Sequence, residues 1–244
     1  MNNIINSLIL TSLSGLVTLI GYLAIFIKGD KNCIISFALS FATGVMLFVS
    51  TTDLIPSSYH YLNNYYCFYR ILIIIFFIIL GYFLSSFFEK HIPTNTNNSL
   101  YKVGLFTMFG IIIHNIPEGI ITFLISQVNQ KLGFKMALAI GLHNLPEGIS
   151  IAIPIYYSTK NRLKTFAFIF VASLSELLGG LLSIMLFKNV PNNQFIGIML
   201  SIVAGIMINI AICNLWPESL NYNKKNTYIG LLFGIIVMLV SHYI

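Results

Sequence analysis

The chain has 244 residues, of which 57% are hydrophobic and only 8% charged, and this excludes a water-soluble globule with the usual quarter of its residues charged. Its 13 basic and 7 acidic residues give a formal net charge of +6. A nucleic-acid partner would need the basic residues gathered on one surface, but they are scattered through short connections, where a cationic head meets lipid phosphate and water.

Apolar runs fall at 4–27, 33–55, 70–88, 103–126, 134–157, 165–187, 194–217 and 227–243. At about 1.5 Å per residue each crosses, or nearly crosses, about 30 Å of hydrocarbon. The expected fold is all-α, a polytopic membrane protein of eight transmembrane helices in a single domain, 1–244. The first run has no basic residue before it and no small-residue cleavage site after it, so it reads as a retained helix. The second ends at Asp53-Leu-Ile-Pro56, and His60 follows among tyrosines that read as an aromatic belt. After the third comes a loop from Glu89 to Lys102 with His91 alone in it. The fourth and fifth runs carry the chemistry. In the sixth, Ser173, Glu176 and Gly180 share one face, with Gly179 alongside, and these small residues predict a close approach to the fourth and fifth helices. The seventh ends at Trp216-Pro217-Glu218, and His242 stands after the eighth. His91 and His242 read as surface histidines, and Asp53 and Glu218 as pore-mouth or interfacial acids. Cys33, Cys67 and Cys213 share no CxxC spacing, which argues against a disulfide framework or a thiolate zinc site.

Counting Lys and Arg in alternate connections sets the orientation. Lys28, Lys31, Lys90, Lys102, Lys160, Arg162, Lys164, Lys224 and Lys225 lie on one side, and Arg70, Lys131, Lys135 and Lys188 on the other. The first side is expected to be cytoplasmic, with both termini outside and the cell membrane as the location.

Two repeats run through the sequence. At an offset of 161, Ser40 through Gly44, Met46, Asp53 and Pro56 returns as Ser201 through Gly205, Met207, Asn214 and Pro217, and Ser12-Leu-Ser14 returns as Ser173-Leu-Ser175. The first and second helices therefore recur as the sixth and seventh. Each copy is displaced from the other by five helices, an odd number, so the copies cross in opposite directions, as in secondary transporters with a midplane site. The third helix does not align by sequence with the eighth. Met46 and Met207 hold matching positions and read as core filling before soft ligands.

The second repeat is His114-Asn115-Ile-Pro117-Glu118-Gly119 and His143-Asn144-Leu-Pro146-Glu147-Gly148. Residues i, i+1 and i+4 of a helix project to one side, so His, Asn and Glu of each copy face the same way. Pro117 removes the bond to the Ile113 carbonyl and Pro146 that to Leu142, which predicts a kink and an unpaired oxygen beside each cluster. A charged carboxylate at the bilayer centre is costly, and Glu118, Glu147 and Glu176 have no basic residue at similar depth. A bound cation neutralises them, and imidazole, amide and carboxylate donors together suit a divalent transition metal. The bland alternative is hydrogen-bonding glue between helices with protonated glutamates.

On these residues the chain resembles the ZIP family of divalent metal transporters, and within it the bacterial ZupT-type branch. The resemblance runs from Gly44-Val-Met-Leu to Pro56, through both His-Asn-x-Pro-Glu-Gly motifs and Ser175-Glu176-Leu-Leu-Gly-Gly180, to Ala204–Met207 and Leu215-Trp-Pro217. It implies a binuclear site: His114, Glu118, His143 and Glu147 around one ion, and Asn115, Asn144, Glu176 and the same two bridging glutamates around the other. It further implies helices grouped three, two and three, a homodimer, and uptake of Zn²⁺, with Fe²⁺ and Mn²⁺ as further cargo, without a resident cofactor. A membrane-embedded dimetal enzyme is the rival reading, but the HExxH order that frees a glutamate as base is missing. A proton channel would explain the acids but not the paired histidines and amides.

Overall fold

The computed structural model describes residues 2–91, 98–186 and 192–242, without the side chains of Asn2 and His242. The readings of His242 as a surface histidine and of Lys188 as an outer cation thus fall outside it. Among the described residues, eight helices are long and apolar enough to span a bilayer: α1 (Asn3–Phe26), α2 (Lys31–Tyr61), α3 (Cys67–His91), α4 (Ser99–Val128), α5 (Gln130–Thr159), α6 (Arg162–Leu186), α7 (Asn193–Leu220) and α8 (Lys224–Ser241). Short polar side chains start four of them. Asp30, Asn98, Asn129 and Asn192 each accept a hydrogen bond from an amide two or three residues ahead, which satisfies donors that a helix start leaves open. Asn129 is also the entire connection between α4 and α5.

Pro117 and Pro146 lie inside α4 and α5, which are α-helical on both sides of them. Two other prolines follow departures from α geometry. Ser50–Leu54 of α2 and Ile210–Leu215 of α7 wind as π-helical turns, each just before Pro56 or Pro217. A wider turn relieves the clash of the proline ring with the preceding turn, and the proline then starts a fresh α segment where its missing N–H costs nothing. The two helices therefore run on to Tyr61 and Leu220, beyond the expected ends at 55 and 217. The second half of α1, Val17–Phe26, tightens into a 3-10 helix.

Two groups of helices result. In one, α1, α4, α5 and α6 pack on each other; in the other, α2 pairs with α8, α3 with α7, and α2 with α7. The groups meet mainly where α2 crosses α5 and α4 crosses α7. Close approach is set by glycines whose missing Cβ leaves room for a neighbouring backbone. A Cβ at Gly119 would strike the Glu176 backbone, one at Gly148 the Thr18 carbonyl, and one at Gly179 the Ile116 carbonyl. Gly180 instead faces Thr11 and Leu8 of α1. So Gly179 makes the expected approach of α6 to α4, and Gly180 serves α1.

The same contacts supply the register that sequence comparison lacked. Gly44 of α2 sits on Leu231 of α8, and its repeat mate Gly205 of α7 sits on Ile78 of α3. Conversely, Gly81 of α3 meets Ile202 while Gly234 of α8 meets Phe41, and Phe41 and Ile202 are themselves repeat mates. Helix α3 thus corresponds to α8 at an offset of 153, and the π-turns occupy matching places. The inverted repeat covers three helices on each side of the α4–α5 pair.

Burial is inverted relative to a soluble protein. Phe76, Phe83, Leu232 and Ile236 face outward, while Ser40, Thr43, Ser50 and Ser126 are buried and donate to carbonyls of the preceding turn. Met46 and Met207 are fully buried in the apolar core. If the glycine seats are equivalent, Gly44→Leu and Gly205→Leu should each cost about 1–3 kcal/mol from overpacking. Thermal unfolding in detergent should show similar losses for the pair and none for Gly29→Leu, where a Cβ meets only the Ile34 side chain at 3.6 Å.

Candidate metal centre

The doubled motif lies where α4 and α5 run antiparallel. Because the motifs point in opposite directions along the membrane normal, each histidine meets the glutamate of the other copy. His114 Nε2 is 3.0 Å from Glu147 Oε1, and His143 Nε2 is 3.5 Å from Glu118 Oε2. Helix α6 brings Glu176 against the same hairpin, and α1 closes the far side. The Asn144 amide donates to one oxygen of Glu176 and the Ser14 hydroxyl to the other, while the Ser14 carbonyl accepts a further bond from Asn144 at 3.0 Å. Ser14 was not singled out from sequence; the available signal was its place in the Ser-Leu-Ser repeat, opposite Ser175.

All seven expected donors are buried: Glu118 is 3% and His143 5% exposed, and His114, Asn115, Asn144, Glu147 and Glu176 are at 0%. The two with residual exposure line a cavity of about 340 Å³. This cavity runs from Tyr61, Ser57 and Asp53 of α2 and Ser241 of α8, on the face that carries both termini, down to Glu118 and His143. Asp53 lies in the π-turn, at its wall. Among the described residues no Lys or Arg lines it. The His114–Glu147 and Asn144–Glu176 pairs sit beyond its floor.

Donor capacity at the motifs exceeds what the protein itself satisfies. His114 Nδ1, both amide atoms of Asn115, Asn144 Oδ1, Glu118 Oε1 and Glu147 Oε2 are buried with no protein partner. A buried polar atom left unpaired costs about 1–3 kcal/mol, so such a concentration in one place calls for an explanation. The donors stand as cross-helix pairs, and among the described residues no three His, Cys, Asp or Glu side chains converge on one point.

The remaining candidates are placed apart. Glu218 is buried and accepts from Ser99 at 3.0 Å, Asn221 at 3.1 Å and Tyr222 at 3.4 Å, so it ties the end of α7 to the start of α4. Burial and the Glu218 charge push the Tyr222 phenol up to about 12. His60 and His91 are exposed at the ends of α2 and α3, and His91 Nδ1 lies 2.8 Å from the Phe87 carbonyl. Exposed Cys213 lies 2.9 Å from the Tyr82 hydroxyl.

Comparison with known proteins bears on this site. The ZIP zinc transporter family model matches residues 93–242. Three proteins named zinc transporter ZupT align with nearly the whole chain. That of Oceanobacillus iheyensis is 34% identical over 99% of this chain and 98% of its own length. The Clostridium perfringens protein is 31% identical over 99% and 96%, and the Streptococcus mutans protein 32% over 98% and 97%.

The Ser14 contact makes a stability prediction. Ser14→Ala removes one donor from a buried carboxylate and should cost about 1–3 kcal/mol. Ser12→Ala, whose hydroxyl bonds only its own helix at Leu8, should stay within about 0.5 kcal/mol of wild type. Thermal midpoints in detergent check this, and equal values for the two variants would remove Ser14 from the site.

Proposed function

This chain belongs to the ZIP zinc transporter family, and we propose that it imports zinc across the cell membrane through the α4–α5 hairpin. The supporting observation is the set of seven buried donors, three of them carboxylates, with orphaned lone pairs, of which Glu118 and His143 line the floor of a one-sided cavity. Zn²⁺ accepts both nitrogen and oxygen, and Fe²⁺ and Mn²⁺ fit the same mixed set, so we include them as cargo. In this reading His114, Glu118, His143 and Glu147 hold one ion. Asn115, Asn144 and Glu176 hold a second, with Glu118 and Glu147 bridging. The copies act as a homodimer.

The face with both termini is outside, because nine of the thirteen basic residues belong to the opposite connections. An ion entering past Asp53 meets Glu118 and His143 first. The unpaired oxygens of Glu118 and Glu147 can take the ion first, and an imidazole nitrogen now paired with a glutamate joins them once the proton it shares with that glutamate is released or moved to its other nitrogen. Passage then requires the α1/α4/α5/α6 group to shift against the α2/α3/α7/α8 group, closing the outer cavity and opening the sealed side. Alternating access of this kind uses no nucleotide, and the membrane potential favours entry by about 4.6 kcal/mol per 100 mV for a divalent ion. The named transport role of the relatives favours this over a dimetal enzyme.

Glu118→Ala and Glu147→Ala should each abolish zinc uptake into reconstituted vesicles, since either change opens both coordination spheres; His114→Ala, which touches one, should be milder. Near-normal uptake in a glutamate variant would end the binuclear reading. Glu176→Gln should keep measurable uptake while weakening Mn²⁺ most, because a hard oxygen charge is lost. An unchanged order in competition uptake would make Glu176 structural. Ligands must be deprotonated to bind, so uptake should fall as pH drops toward the ordinary imidazole range near about 6.5. Uptake that climbs steadily through that fall would point instead to obligatory proton co-transport.

A further inference from the structure

A second cavity, of about 540 Å³, opens between the two helix groups on the basic side of the molecule. Its walls are Ile27 from the end of α1, Phe37 and Phe41 of α2, Ile153 of α5 and Phe233 of α8. The three phenyl rings form one surface, with Phe233 5.8 Å from both of the others. The lining reaches along α2 from Asp30 to Phe41, roughly 16 Å at about 1.5 Å per residue, which is about half of a 30 Å hydrocarbon core. The groove is therefore one leaflet deep.

Its open end is polar and cationic. Asp30, Cys33 and Asn226 form the rim, and Lys28, Lys31 and Lys225 are their chain neighbours. Asn223 donates to Cys33 Sγ at 3.5 Å, which pins the start of α8, with Lys224 and Lys225, to the start of α2. All four lysines are exposed. The one acid at the rim, Asp30, is turned onto the Cys33 amide at 2.9 Å, and that bond holds its carboxyl below the usual range. The nearby cation Lys160 lies over the Tyr157 ring at 4.4 Å. Four lysines against one carboxylate, above an apolar slot one leaflet deep, match an anionic headgroup with an acyl tail.

We propose that this groove seats one anionic phospholipid of the lysine-bearing leaflet, its tail against Phe37, Phe41 and Phe233 and its phosphate between Lys31 and the Lys224–Lys225 pair. The seat lies between α1 and α5 of one group and α2 and α8 of the other, so an occupant bears on their relative movement. The site stands on membrane placement and not on the identity of the cargo.

Native mass spectrometry of the full-length protein, exchanged into micelles carrying phosphatidylglycerol or phosphatidylcholine, tests it. Each lysine near a headgroup counts for about fivefold in binding, so wild type should retain phosphatidylglycerol at least about tenfold better than phosphatidylcholine. The exposed triple variant Lys31→Gln/Lys224→Gln/Lys225→Gln should lose that preference, and Ile34→Trp, which enlarges a side chain that lines the groove, should lose the retained lipid. Lys102→Gln/Lys164→Gln, whose cations lie off the groove, should retain it. Equal retention of both lipids by wild type, full retention by Ile34→Trp, or equal loss in the Lys102/Lys164 variant would overturn the site. The readout is bound lipid, so it stands or falls apart from zinc uptake.

Discussion

A carboxylate in hydrocarbon must be neutralised, and three of them share the middle of this molecule. Taking such charges out of water is expensive. Glu118 and Glu147 each reach an imidazole on the opposite helix, and Glu176 of α6 is held by an amide of α5 and a hydroxyl of α1. Four helices are thus committed to three acids. The glycines that let these helices approach belong to the same motifs: Gly119 follows Glu118 and seats α6, and Gly148 follows Glu147 and seats α1. A residue with a Cβ at either place would push away the helix that completes the polar cluster.

The inverted repeat supplies scaffolding on both sides of this centre and departs from symmetry where chemistry enters. Gly15 and Glu176 are repeat mates, yet one is a seat for the Ser173 carbonyl and the other a buried acid. Asp53 and Asn214 occupy matching π-turns, but only Asp53 lines the cavity on the face of the termini. Asn214 lies buried at the opposite end. The difference between the two faces is therefore built into the side chains as well as into the conformation.

Much of this was legible in the chain. Eight spans, the doubled motif and the partial repeat follow from hydropathy and from shared Ser, Gly, Met and Pro positions. The correspondence of α3 with α8 was not, because both face lipid, and lipid accepts almost any apolar side chain; the register survives only in Gly81 and Gly234, two points in two long helices. The π-turns before Pro56 and Pro217 were not legible, because local rules say that a proline disturbs a helix but not that the disturbance takes the form of a wider turn. Glu218 could not be assigned from its position, since its partners Ser99 and Tyr222 come from separate connections.

The connection between α4 and α5 is one residue long, Asn129, whose side chain also caps α5 by accepting from the Lys131 and Leu132 amides. A link that short, fastened at its own side chain, keeps the joined ends of the two helices side by side. The crossed histidine and glutamate pairs therefore belong to one hairpin, and neither helix can carry its half of the motif away from the other's at that end.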